Sequence, residues 1–105
     1  MRVGLIQLCA SDDPVGNLPV TVDLIRQAAQ RGAEFVLTPE VTNCVSSDRA
    51  HQDKVLSAQA DDVTLATLRK LADELQIWLL IGSLALKTND PDGRFANRSF
   101  LIDPQ

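Results

Sequence analysis

The chain is poor in the residue types that mark most specialised sites. Its 105 residues include two cysteines, Cys9 and Cys44, and one histidine, His51. Two cysteines make no disulfide framework, and their spacing, with one histidine to help, fits no zinc ligand set. No metal or organic cofactor is indicated. The 10 Lys and Arg residues form no stripe, and the net charge is -4. Phosphate binding needs clustered positive charge, which argues against nucleic acid as a partner and against anionic membrane surfaces. The N-terminal apolar run is too short for a membrane span and ends in Asp12 and Asp13 rather than a cleavage site, so the expected location is cytoplasmic. There is no G-x-G-x-x-G pattern to support a dinucleotide site, no internal repeat and no low-complexity segment.

What is present is an ordinary globular composition, 45% hydrophobic and 23% charged, which argues against disorder. The length suits one small domain. Arg2–Leu8 is apolar almost throughout and reads as a strand buried on both faces, as in parallel sheets. Ser11–Gly16 reads as a loop. Asn17 is the expected N-cap of a helix that tolerates Pro19 in its first turn. Leu18, Val22, Ile25 and Ala29 recur there at helical spacing, and Gly32 falls where a C′ glycine belongs. Phe35–Thr38 is a second strand, ended by Pro39, so helix and strands make a right-handed βαβ unit.

Beyond it, a short helix is expected around His51–Ala58. Asp61 and Asp62 offer caps for another helix with the stripe Leu65, Leu68, Leu71, Ala72 and Leu75. Ile77–Leu86 reads as a long strand in which Gly82 marks a bulge or the close approach of another backbone. Asn89-Asp90-Pro91-Asp92-Gly93 is a turn signal, and Phe95–Ile102 a strand antiparallel to the one before. The order β-α-β-α-β-β defines an α/β fold, with residues 1–105 as a single unit.

Open α/β sheets hold ligands at the carboxyl ends of their strands, where this sequence places Glu40. A carboxylate just beyond a buried strand can lose solvation and become a better proton acceptor. Alternatively it is a solvated loop acid, which position alone favours. Cys44, close in sequence to Glu40, is best read as a small buried thiol, and Cys9 likewise. Lys54, Lys70 and Lys87 read as solvent-facing, His51 as a surface residue, and Trp78 as core. Asn17 and Asn43 read as cap and turn residues, and Asn97 as a satisfied polar residue of the last strand.

The opening Arg2-Val3-Gly4-Leu5-Ile6-Gln7-Leu8, then Asn17, Arg31-Gly32-Ala33-Glu34-Phe35-Val36-Leu37 and Thr38-Pro39-Glu40 resemble the nitrilase superfamily of carbon–nitrogen hydrolases in order and spacing. Gly82-Ser83-Leu84 and Asn97-Arg98-Ser99-Phe100-Leu101-Ile102-Asp103-Pro104 continue the likeness to the end of the chain. The resemblance implies the first part of a four-layer α-β-β-α sandwich. It also implies hydrolysis of non-peptide C–N bonds in a small amide or nitrile, of the ω-amidase kind, by a Glu–Lys–Cys site. Only the glutamate maps here, as Glu40; the lysine and nucleophilic cysteine are expected past Gln105. Residues 1–105 then form an incomplete domain, inactive alone and homo-oligomeric when complete, with apolar surface left uncovered. The rival readings are a non-catalytic α/β interaction module, one half of a split hydrolase, and a nucleotide-binding domain, which the missing glycine-rich loop opposes.

Overall fold

Three apolar runs pair in parallel and a fourth closes the sheet antiparallel. In this computed structural model, which describes residues 1–8, 10–46, 48–88 and 95–105, the strands are β1 (Val3–Leu5), β2 (Phe35–Thr38), β3 (Trp78–Lys87) and β4 (Phe95–Ile102). They lie in the order β1-β2-β3-β4. The helices are α1 (Pro14–Gln30), the short α2 (Arg49–Val55) and α3 (Val63–Leu75), with a 3-10 turn at Gln59–Asp61. Cys9 and the turn Asn89–Gly93 lie outside the described residues.

The core lies between the sheet and the α1/α3 pair. Val36, Leu79 and Ile81 are fully buried against Ile25 of α1 and Leu68, Leu71 and Ala72 of α3. Gly4 lets α1 come close to β1, since a Cβ there would stand 3.0 Å from that of Ala28. Gly32, at φ +90°, ends α1 in the left-handed conformation that its sequence position demands. The molecule is only 17 Å across its shortest axis, the thickness of one sheet and one helical layer.

The second sheet face carries the alternate side chains. Val3, Phe35 and Trp78 sit in one register row, and Leu5, Leu37, Leu80 and Leu101 in the next. Val3 (54%), Leu5 (74%), Trp78 (43%) and Leu101 (60%) are exposed there. This corrects two expectations. The first strand is three residues long and is not buried on both faces, because helices cover only one. Trp78 is not core, because β3 presents it on the bare face.

The start of α1 is also corrected. The helix begins at Pro14, three residues ahead of Asn17, and its N-cap is Asp13, whose carboxylate accepts from the Val15 N–H. A proline at the first helical position has no N–H to leave unpaired, so Asp13-Pro14 outcompetes Asn17 as the start. Pro19 consequently lies inside the helix. The second cap is as read: Asp62 Oδ2 accepts from the Leu65 N–H at 2.8 Å.

Candidate active site

β3 runs past the end of β2, and the chain after β2 must satisfy its exposed edge. It does so over Thr38–Asn43. The Gly82 N–H donates to Thr38 Oγ1 at 3.3 Å, and the Thr42 N–H to the Ser83 carbonyl at 3.0 Å. Ala85 then pairs with a side chain instead of a strand. Asn43 Nδ2 donates to the Ala85 carbonyl and Asn43 Oδ1 accepts from the Ala85 N–H, each at 2.9 Å. The amide copies a peptide group and extends the ladder by one residue, which leaves no buried backbone group of Ala85 unpaired. Further on, the Lys87 N–H reaches the Ser57 carbonyl at 2.9 Å.

Gly82 is the contact point. A Cβ there would lie 2.5 Å from the Thr38 carbonyl oxygen and 2.6 Å from the Pro39 carbonyl carbon and oxygen. The pairing of β3 with β4 also shifts register between Ile81 and Leu84. Both readings of Gly82, bulge and close approach, therefore hold. The extra residue is why Leu79 and Ile81, and then Leu84 and Leu86, all join the same core.

Glu40 stands on the resulting turn, exposed to solvent; the turn itself is held. Thr42 Oγ1 donates to the Pro39 carbonyl at 2.5 Å, the Thr38 and Thr42 hydroxyls are hydrogen-bonded at 3.0 Å, and the Val41 N–H donates to Ser83 Oγ at 2.7 Å. Thr38, Thr42 and Asn43 are all buried. A second anchor is Asn17, whose amide makes four hydrogen bonds. Its oxygen accepts from Ser11 N–H and Oγ–H, and its Nδ2 donates to the carbonyls of Ser11 and Asn43. The loop after β1 and the loop after β2 are thus tied at the carboxyl edge of the sheet.

Glu40 is exposed within these residues, the solvated loop acid that position alone favours. The grooves beside β1 (about 460 Å³, lined by Arg2, Leu5, Gln27 and Arg31 among others) and between α1 and α3 (about 400 Å³) are lined by other side chains. Cys44 is a buried thiol, as read; its Sγ–H donates to the Asp12 carbonyl at 3.4 Å. Burial pushes that thiol up, and the charges of Asp12 and Asp13 add to the effect, the opposite of an activated nucleophile. Lys54 and Lys70 are exposed, and Lys87 faces Asp53 at 3.8 Å. His51 Nε2 lies 2.7 Å from the Asp12 carbonyl oxygen. Asn97 is exposed on β4. Sequence reasoning gave Asn17 a cap role and Asn43 a turn role. Asn17 is instead a loop tie, whereas Asn43 does lie in a turn, closed by the Cys44 N–H on the Val41 carbonyl at 3.2 Å, and also ties that turn to β3. Sequence reasoning gave Ser83 no role of its own, although the adjacent Gly82 was the available signal. Among the described residues no group of three or more His, Cys, Asp or Glu could hold a metal ion.

An α/β layer that braces a carboxylate at a strand's carboxyl end defines the class, and comparison with known proteins gives the family. The carbon–nitrogen hydrolase family model matches residues 2–105, and the chain belongs to that family. It is 29% identical over 104 residues to the hydrolase Rv0480c of Mycobacterium tuberculosis, covering 99% of this chain and 35% of that one. It is 28% identical over 103 residues to omega-amidase NIT2-B of Xenopus laevis, covering 98% and 36%. The chain thus spans about a third of the length of these curated relatives. Among solved structures, the amidase from Nesterenkonia sp. superposes with a TM-score of 0.75 at 27% identity, over 99% of this chain and 38% of that one. That amidase is from the nitrilase superfamily. A variant of it lacking one cysteine is known in complex with butyramide, and another shows covalent addition at the active-site cysteine. The C. elegans NitFhit protein shares the fold, with a TM-score of 0.85 at 24% identity over 97% of this chain and 24% of that one.

Proposed function

We propose that residues 1–105 supply the general base, Glu40, of a Glu–Lys–Cys site that hydrolyses a small amide, and that the lysine and the nucleophilic cysteine come from outside these residues. The observation that carries this is the braced turn at the carboxyl end of β2. Four hydrogen bonds and a glycine contact fix Pro39–Thr42 and leave the Glu40 side chain as the projecting group. The likeness to amidases, one of them seen with butyramide, supports an amide as substrate. In this reading 1–105 is one incomplete domain.

The chemistry follows from the residue types. Glu40 takes the proton of the thiol as its sulfur attacks the amide carbon. A fixed cation, the lysine, offsets the negative charge that builds on the substrate oxygen. The tetrahedral intermediate collapses to a thioester as the amine nitrogen takes the proton and leaves. Glu40 then removes a proton from water, whose oxygen attacks the thioester; the carboxylic acid departs and the thiol is restored.

The test is ammonia release from butyramide by the full polypeptide that carries these residues, beside its Glu40→Gln variant and residues 1–105 alone. The full polypeptide should release ammonia, Glu40→Gln should do so at least about 100-fold more slowly, and residues 1–105 alone should release none. Full activity in Glu40→Gln would remove Glu40 from the reaction, and activity in 1–105 alone would place the nucleophile within it.

A further inference from the structure

Val41, the residue after Glu40, has φ +45°. A β-branched residue in the left-handed region is a steric outlier, and such strain persists only where the surroundings impose it. The groups that hold it are the Cys44 N–H, which donates to the Val41 carbonyl at 3.2 Å, and Ser83. Its Oγ accepts from the Val41 N–H at 2.7 Å and its carbonyl oxygen accepts from the Thr42 N–H at 3.0 Å. One buried residue of β3 therefore holds two successive amides of the turn.

Ser83 is itself fixed. It sits at the bulge of β3, beside Gly82, whose backbone lies against Thr38 and Pro39 and whose carbonyl accepts from Ser99 Oγ at 2.5 Å. β4 thus backs the bulge from the far side. Ser83 Oγ is the side-chain hydrogen bond across this contact that reaches the residue next to Glu40.

We infer that Ser83 is a positioning residue: by holding Val41 in its left-handed conformation, it sets the direction in which the Glu40 carboxylate leaves the turn. The inference rests on the role proposed for Glu40. Without the Ser83 hydroxyl, Val41 relaxes toward negative φ and the peptide plane between Glu40 and Val41 rotates. The carboxylate is then displaced while the rest of the sheet stands. A misplacement of about 1 Å in a reacting group costs on the order of 100-fold in rate.

The experiment uses the full polypeptide and amide hydrolysis, with Ser83→Ala, Ser83→Thr and Val41→Gly run beside Glu40→Gln. Ser83→Ala should lower kcat by roughly 10- to 100-fold with KM nearly unchanged, and Ser83→Thr, which keeps the hydroxyl, should recover most of it. Val41→Gly removes the strain and the rigidity together, and should also lower kcat in a protein that still unfolds cooperatively. If Ser83→Ala fails to fold, Val41→Gly decides alone. Wild-type kcat in a folded Ser83→Ala, or in Val41→Gly, overturns the inference. An inactive Glu40→Gln beside a fully active Ser83→Ala defeats this inference only; an active Glu40→Gln defeats the role of Glu40 from which it starts.

Discussion

Gly82 tolerates no side chain. A Cβ would meet backbone atoms of Thr38 and Pro39 at 2.5–2.6 Å, and backbone cannot swing aside as a side-chain tip can. Gly82→Ala should therefore destabilise the protein by about 3 kcal/mol, near the upper end for overpacking. The urea midpoint should fall with its slope unchanged; an unaltered midpoint would mean that the β2–β3 contact is looser than the distances state. Residues of this kind were partly legible in the sequence. A glycine inside an apolar strand signals a bulge or a close approach, and both occur. The place of Glu40 at the carboxyl end of β2 was legible because Pro39 ends the strand in front of it. The exposure of Glu40 is the reading that position alone favours. Ser83 was not legible: a serine in a strand gives no sign of which distant amide it meets, and the pairing with Val41 spans 42 positions.

Helices show where local signals compete. Asn17 and Asp13 are both acceptable caps, and Pro14 tips the choice, leaving the Asn17 amide free to tie two loops. At α3 the sequence offers Asp61 and Asp62, the helix uses Asp62, and the cap carries a cost. Asp62 is buried, which pushes its carboxyl up, while the Leu65 and Thr64 N–H groups act in the opposite direction. Because the folded-state value is raised, the stability tied to Asp62 is present in full below the unfolded value and lost as pH rises through the folded one. Asp62→Asn keeps an oxygen for the Leu65 N–H and carries no charge to bury. The stability of the variant relative to wild type should therefore rise between about pH 3 and about pH 7, measured by denaturant unfolding at each pH. A relative stability that falls over this range would show that the hydrogen bonds to the carboxylate outweigh its burial.

At the scale of the whole fold, the sheet has one covered and one bare face among the described residues, and the bare face is apolar. Apolar runs and helical stripes made the order of the elements readable, with the last strand antiparallel to the one before it. What an apolar run cannot tell is whether both of its faces have a cover. Arg2–Leu8 reads as buried on both sides, yet Val3 and Leu5 stand more than half exposed. Residues 1–105 produced alone should associate at micromolar concentration, since apolar patches of this kind promote association. Leu101→Lys should shift the sedimentation profile toward monomer, and a monomeric, sharply cooperative wild-type fragment would contradict this.

The most direct measurement is kcat for butyramide hydrolysis by the full polypeptide with Glu40 and with Glu40→Gln, each confirmed as folded. Glutamine preserves the size and hydrogen-bonding reach of the side chain but cannot take a proton. If Glu40 is the base, kcat falls by about 10²- to 10⁴-fold. If Glu40→Gln turns over at the wild-type rate, the turn built by Thr38, Thr42 and Ser83 serves the fold alone.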